Sequence, residues 1–123
     1  MVPSPDDPRP VLLFDGDCGF CRWSVAKVVA WDRHGRLRTV AIQSAEGQRL
    51  LTDLPEPLRL DSFHLAEPDG RVHSAGAAAA PLADLLPGGR PLAFLMRRSP
   101  RLTERAYRAV AARRDRLGRK LRL

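Results

Sequence analysis

Residues 11–21 of this 123-residue chain read VLLFDGDCGFC, an apolar run followed by an acidic turn and two cysteines. The apolar residues 11–14 are typical of a short buried strand. The residues from Gly19 onward favour a helix, so a strand, a tight turn and a helix follow one another. Cys18 and Cys21, the only cysteines of the sequence, are separated by two residues and fall at the start of that helix.

This position indicates a dithiol active site. The unpaired N–H groups and the positive end of a helix stabilise a thiolate, and the thiolate is the species that attacks disulfides. Cys18 precedes the helix proper, so we expect it to be the more exposed sulfur and the nucleophile. Cys21 lies one turn further in, and we expect it to resolve the mixed disulfide. The reaction needs no further cofactor and no metal.

Other uses of two cysteines stay open at this point. A structural disulfide would close a very small ring and would restrict the unfolded chain little. A metal site would need further ligands from His34, His64 or His73, and their spacing matches no zinc finger. The alternative function is therefore a redox-inactive binding module with metal-holding or inert cysteines and a basic docking helix.

Several neighbours can tune the two sulfurs. Asp15 is close enough in sequence to accept a proton from Cys21, but an aspartate before glycine also commonly bonds the backbone of the following turn. Asp17 opposes a thiolate on Cys18 by charge repulsion, whereas Arg22 favours it. The two positions between the cysteines are Gly19, which leaves space for a substrate chain, and Phe20, which offers an apolar contact.

The segment 12–21 resembles the signature of the DCC family of predicted thiol-disulfide oxidoreductases, in which an aspartate precedes a CxxC at the end of the first strand. Later blocks also look like the family, so the resemblance covers roughly residues 10–117; these blocks are residues 40–43, 62–70, 75–86 and 107–113. The resemblance implies a thioredoxin-like fold, protein-disulfide reductase activity and a role for Asp15. The substrate is then a disulfide-containing protein or small molecule, and the electron donor is undefined.

One position departs from the wider thioredoxin pattern. In that superfamily a cis-proline opens the strand before the hairpin and packs against the CxxC. Counting back from Gly70 places the matching position near Ser62, where this sequence has no proline. The missing proline leaves more room beside the cysteines for a metal or an unusual substrate, and Ser62 is a candidate residue for substrate contact or tuning there.

The order of elements predicts an α/β fold. We expect strands at 11–14 and 37–42, with a helix between them that has Asp17 as N-cap. A second helix begins at Ser44. The later elements are a hairpin formed by 62–66 and 71–74, an alanine-rich helix over 75–86 and a final basic helix. These elements form a central mixed sheet of about four strands with flanking helices. We predict a disordered lead-in over 1–9, a single thioredoxin-like domain over 10–96 and a basic helix over 97–123 that packs on it.

Composition adds two expectations about location and partners. No segment is apolar enough to span a membrane, and the N-terminal residues lack a secretory signal, so we expect a cytoplasmic protein. Residues 97–123 carry 11 basic and two acidic residues, a net charge of +9, whereas 1–96 carry 10 basic and 12 acidic residues, a net charge of −2. This helix could contact an acidic partner or anionic surface. We favour a solvated helix that packs through Leu102, Ala106, Val110, Leu117 and Leu121, and we expect no specific nucleic-acid binding.

Overall fold

The computed structural model describes residues 9–60 and 62–113, and its centre is a four-stranded mixed sheet. The strands are β1 (Val11–Phe14), β2 (Arg38–Ala41), β3 (His64–Ala66) and β4 (Val72–Ser74), in the spatial order β2-β1-β3-β4. β1 is parallel to β2 and antiparallel to β3, and β3 is antiparallel to β4. The predicted α/β class with a mixed sheet is confirmed, and it is consistent with a single thioredoxin-like domain.

Six helices surround the sheet in the described residues. They are α1 (Gly19–Trp31), α2 (Ala45–Leu50), α3 (Glu56–Arg59), α4 (Gly76–Leu85), α5 (Arg90–Arg98) and α6 (Pro100–Ala112). Helices α3 and α5 are not among the elements expected from the sequence. Both have a proline in their first turn, a position where the missing N–H breaks no helical hydrogen bond. None of the helices in the described part of the chain is long and apolar enough to cross a membrane.

The sheet has an apolar cluster on each face, as its alternating side chains require. Val11 and Leu13 point to one face and contact residues of β2 and α2, whereas Leu12 points to the other face. There Leu12 meets Leu65 of β3 together with residues from α1 and α4. Because β1 is central and buried on both faces, contacts on both sides fix its position in the fold, and the turn that follows it is held at the edge of the core.

Helix α1 packs through a different face from the one predicted. The helical periodicity of the sequence favours an apolar face formed by Phe20, Trp23, Ala26, Val29 and Ala30, with Trp31 at its end, but all of these except Phe20 are exposed. Val25 and Val28 instead pack against the cluster around Leu12. Apolar residues lie all round this helix, so its periodicity could not select the buried face. The exposed Trp31 is held by its indole N–H, which donates to the Pro87 carbonyl at 2.8 Å.

The helix caps show one confirmed and one wrong prediction. Ser44 caps α2 as expected, because its Oγ accepts a hydrogen bond from the Gly47 N–H at 3.0 Å. Asp17 is not the N-cap of α1; that position is taken by Cys18. In the hairpin, Gly70 adopts a φ of 93°, which is the left-handed conformation that the turn sequence predicts.

The apolar stripe predicted on the last helix is wrong for the residues that the structure describes. Leu102 is 65% exposed and Val110 is 46% exposed, and Ala106 is exposed as well. The half-buried residues of α6 are Thr103, Glu104, Tyr107 and Ala111, and the helix lies mainly against α4. Leu117 and Leu121 lie outside the described residues.

Candidate active site at the start of helix α1

The two cysteines lie where β1 ends and α1 begins. A turn closes between Asp15 and Cys18, whose backbone N–H donates to the Asp15 carbonyl at 3.2 Å. Cys18 is the N-cap residue, with an extended backbone, and its carbonyl accepts the first helical bond from the Arg22 N–H at 3.0 Å. The sequence thus places a sulfur where serine, threonine or aspartate usually caps a helix.

The Cys18 sulfur accepts a hydrogen bond from the backbone N–H of Cys21 at 3.3 Å. This N–H is one of the unpaired donors of the first helical turn, so Sγ lies at the positive end of the helix dipole. Both cysteines are thiols and both are half-buried. The arrangement places the Cys18 sulfur at the N-terminus of α1 and keeps Cys21 one turn away in the same helix.

Asp15 is held by a residue that sequence reasoning did not single out. Its Oδ1 accepts from the Asp17 N–H at 2.9 Å and from Gln43 Nε2 at 2.7 Å. Gln43 Oε1 accepts from the Gly16 N–H at 2.9 Å, so the Gln43 amide bridges the turn and the carboxylate. Gln43 follows β2, and the parallel pairing of β1 and β2 brings their carboxyl ends together. That topology was the available signal for Gln43.

Both sequence-based roles of Asp15 are compatible with this geometry. The bond to Asp17 is the turn contact expected of an aspartate before glycine. The other oxygen, Oδ2, makes no hydrogen bond with the residues that the structure describes. Asp15 and Cys21 also line the same pocket, so a carboxylate and the second thiol face a common space.

The remaining site residues take distinct positions around the turn. Asp17 is exposed beside Cys18, and Gly19 is the first residue of α1. Phe20 stacks on Trp23 with the ring centroids 6.0 Å apart, and it lines the pocket. Arg22 Nη1 donates to the Gly16 carbonyl at 2.8 Å, so its guanidinium group is tied to the turn.

A pocket of about 290 Å³ lies beside Cys21, between α1, the sheet and α6. Ser62 also lines this pocket. All peptide bonds in the described residues are trans. The structure therefore places Cys21, Asp15, Phe20 and Ser62 around one cavity, and Cys18 at the helix end next to it.

The histidines do not gather near the cysteines. His64 pairs with Ser74 and His73 pairs with Leu65, so the two histidines are on opposite faces of the hairpin. His64 is buried, with Nδ1 2.7 Å from Ser74 Oγ and Nε2 2.8 Å from the Arg59 carbonyl oxygen. Within 9–60 and 62–113, no group of three or more His, Cys, Asp or Glu side chains is close enough to hold a metal ion.

Comparison with known proteins agrees with the geometry. The chain is 40% identical over 73 residues to the uncharacterized protein YuxK of Bacillus subtilis (strain 168), which covers 58% of this chain and 53% of that protein. It is 44% identical over 46 residues to the DCC family protein At1g52590, chloroplastic, of Arabidopsis thaliana, covering 37% of this chain and 27% of that protein. The matches thus span about half and about a quarter of these curated relatives. No solved structure matches.

The family assignment rests on a longer match. The family model described as DCC1-like thiol-disulfide oxidoreductase matches residues 12–120, which include the turn, both cysteines and every strand after the first residue of β1. Cys18 and Cys21 fit the CxxC motif expected of such a protein. The chain belongs to the DCC1-like thiol-disulfide oxidoreductase family.

Proposed function

We propose that this protein reduces disulfide bonds in protein substrates, with Cys18 as the attacking thiol and Cys21 as the resolving thiol. The observation that carries the proposal is the position of Cys18, whose sulfur caps α1 and accepts the Cys21 N–H. A thiolate is the nucleophile in disulfide exchange, and the N-terminus of a helix is in general a favourable place for negative charge.

The proposed reaction has two exchange steps. Cys18 thiolate attacks one sulfur of the substrate disulfide, a new S–S bond forms, and the other substrate sulfur leaves as a thiolate that takes a proton. Cys21 then loses its proton and attacks the Cys18 sulfur. The mixed disulfide breaks, the second substrate sulfur leaves and is protonated, and a Cys18–Cys21 disulfide remains. Two electrons pass from the protein to the substrate.

Asp15 is the proposed acceptor of the Cys21 proton. The carboxylate and Cys21 line one pocket, and Asp15 is held in place through Oδ1, which leaves Oδ2 for proton transfer directly or through a water molecule. Gln43 positions the carboxylate, because its amide bonds both Asp15 and the backbone of Gly16.

The reductive direction requires that both thiols be regenerated. A low-molecular-weight or protein dithiol can do this by the same exchange chemistry. The dithiol attacks the Cys18–Cys21 disulfide, and its own two thiols end as a disulfide. A reducing compartment such as the cytoplasm maintains such donors, and it is the location that we propose.

Trapping of the intermediate tests the assignment of the two thiols. Cys21→Ser should accumulate a stable mixed disulfide between Cys18 and a substrate cysteine, because the second step is removed. Cys18→Ser should accumulate none under the same conditions. Mass spectrometry of acid-quenched, alkylated protein identifies the adduct. A substrate adduct on Cys21 of Cys18→Ser that forms as fast as the Cys18 adduct would reverse the roles.

A further inference from the structure

The cavity beside Cys21 is built mainly from apolar side chains. Residues of α1 and β1 form one side of it, and residues of α4 and α6 form the other; those that define its shape are Leu12, Val25, Val28, Phe63, Leu82 and Tyr107. Polar groups are few and include Asp15, Ser24 and Ser62, which line the cavity together with Cys21. A pocket of this type binds an uncharged apolar group, and the Asp15 carboxylate disfavours an acidic one.

The size of the cavity limits what it can hold. Its volume of about 290 Å³ is just below the range of roughly 300 to 1,000 Å³ that is typical for sites of whole small molecules. One large apolar side chain fits such a space while the chain that carries it continues into solvent. An occupant lies against Cys21, which forms part of the wall, and therefore near the Cys18 sulfur, which accepts the Cys21 N–H.

Helix α6 forms part of the mouth of this cavity. The Tyr107 ring packs on Phe63 with centroids 5.5 Å apart, and this contact fixes one wall. Val110 lines the cavity although it is 46% exposed, so apolar surface is open to solvent at the mouth. The half-buried Ala111 lines the cavity next to it, whereas Ala112 is exposed and does not. Helix α6 is thereby part of the site rather than a separate appendage.

We propose that this cavity binds an apolar side chain that lies next to the disulfide-bonded cysteine of a polypeptide substrate. The inference rests on the proposed function and adds to it a preference in sequence around the target disulfide. It also assigns a role to α6, because this helix forms part of the mouth of the cavity. A large residue in place of a small one at the mouth would fill the space that the substrate side chain occupies.

The test uses two symmetric peptide disulfides with blocked termini. They differ only in the residue directly after the cysteine, which is leucine in one and serine in the other. Pre-reduced protein, freed of reductant, is mixed with excess peptide, and released peptide thiol is measured in acid-quenched samples. We expect the leucine peptide to react roughly 10- to 100-fold faster, the range that corresponds to burial of one leucine side chain.

Matched variants connect this preference to the cavity. Ala111→Phe should bring the ratio of the two rates close to one by slowing the leucine peptide, whereas Ala112→Phe should keep the wild-type ratio. Ser24→Leu on α1, which lines the cavity, and Ala26→Leu, which is exposed, form a second pair in case Ala111→Phe does not fold. Equal rates of the two peptides with wild-type protein, or an unchanged ratio in both cavity variants, would overturn the inference.

A binding measurement separates this inference from the proposed function. The Cys18→Ser variant is titrated with each peptide, and backbone amide resonances of α1 and α6 are followed by NMR. Shifts at Val28 and Ala111 with the leucine peptide alone support the cavity as its site, even if wild-type protein reduces neither peptide and the proposed reductase function fails. No selective shift overturns the inference, even if both peptides are reduced.

Discussion

Asp15→Asn separates the two roles that Asp15 can have. The amide is nearly isosteric with the carboxylate, and its oxygen can still accept from the Asp17 N–H and from Gln43 Nε2. The turn contacts therefore survive the change. What is lost is the negative charge and the ability of the second carboxylate oxygen to take up a proton, because an NH₂ group replaces it.

The two expected effects differ greatly in size. The two bonds to Oδ1 change from charge-assisted to neutral, and since this site is partly exposed we expect a loss of about 1 kcal/mol or less in the free energy of unfolding. If Asp15 accepts the Cys21 proton, the second exchange step should slow by roughly 10- to 1,000-fold, the lower part of the range for general acid-base assistance, because water can substitute for the base.

A chromogenic disulfide resolves the two steps. Pre-reduced protein attacks 5,5′-dithiobis(2-nitrobenzoate), which releases one coloured thiolate when Cys18 reacts and a second one when Cys21 resolves the adduct. With Asp15→Asn the first phase should keep its rate and the second should slow. A rise in pH should restore the second phase, because the Cys21 thiol then loses its proton to solvent.

One control variant and a measurement of stability make the result decisive. Asp15→Ala removes the turn contacts as well, so it should lower stability more than Asp15→Asn while slowing the second phase by a similar factor. Urea unfolding of each variant measures stability. A second phase that is unchanged in a stable Asp15→Asn protein would refute proton transfer and leave Asp15 as a turn residue only.

Three further predictions concern the structure around the site. Gln43→Leu removes the amide bridge between Asp15 and Gly16, so it should lower the unfolding free energy by about 1 kcal/mol. It should also slow the second phase of the chromogenic assay, but less than Asp15→Asn does. An unaltered second phase would contradict the positioning role of Gln43. Ser44→Ala removes the cap of α2 and should cost about 1 kcal/mol in urea unfolding without altering disulfide exchange. Val28→Asp should destabilise the protein by about 2 to 3 kcal/mol and Val29→Asp by no more than about 0.5 kcal/mol, and similar values for the two would contradict the observed orientation of α1.

The sequence predicted what depends on local pattern. Residues 11–14 form a strand between proline and glycine, Ser44 caps a helix, and Gly70 closes the hairpin, because each of these outcomes depends on a few adjacent residues. The position of Cys18 and Cys21 at the start of α1 was predictable for the same reason, since the two cysteines directly follow the turn.

Several of the wrong or missing predictions involve contacts between different elements of the fold. The buried face of α1 is chosen by Leu12 and its neighbours in the sheet, which periodicity cannot reveal in a helix that is apolar all round. Gln43 reaches Asp15 across 28 positions of sequence, and only the parallel pairing of two strands brings them together. His64 looked like a polar strand residue, but its partners Ser74 and Arg59 satisfy both ring nitrogens inside the protein.

Catalysed reduction of insulin disulfides is the decisive assay for the proposed reductase function. Wild-type protein and Cys18→Ser are compared in the presence of dithiothreitol as electron donor, with dithiothreitol alone as the reference rate. The proposed reductase function predicts that wild-type protein accelerates the reaction in proportion to its concentration and that Cys18→Ser reacts at the reference rate. Wild-type protein that gives no acceleration, or a Cys18→Ser variant that is as active as wild type, would contradict it.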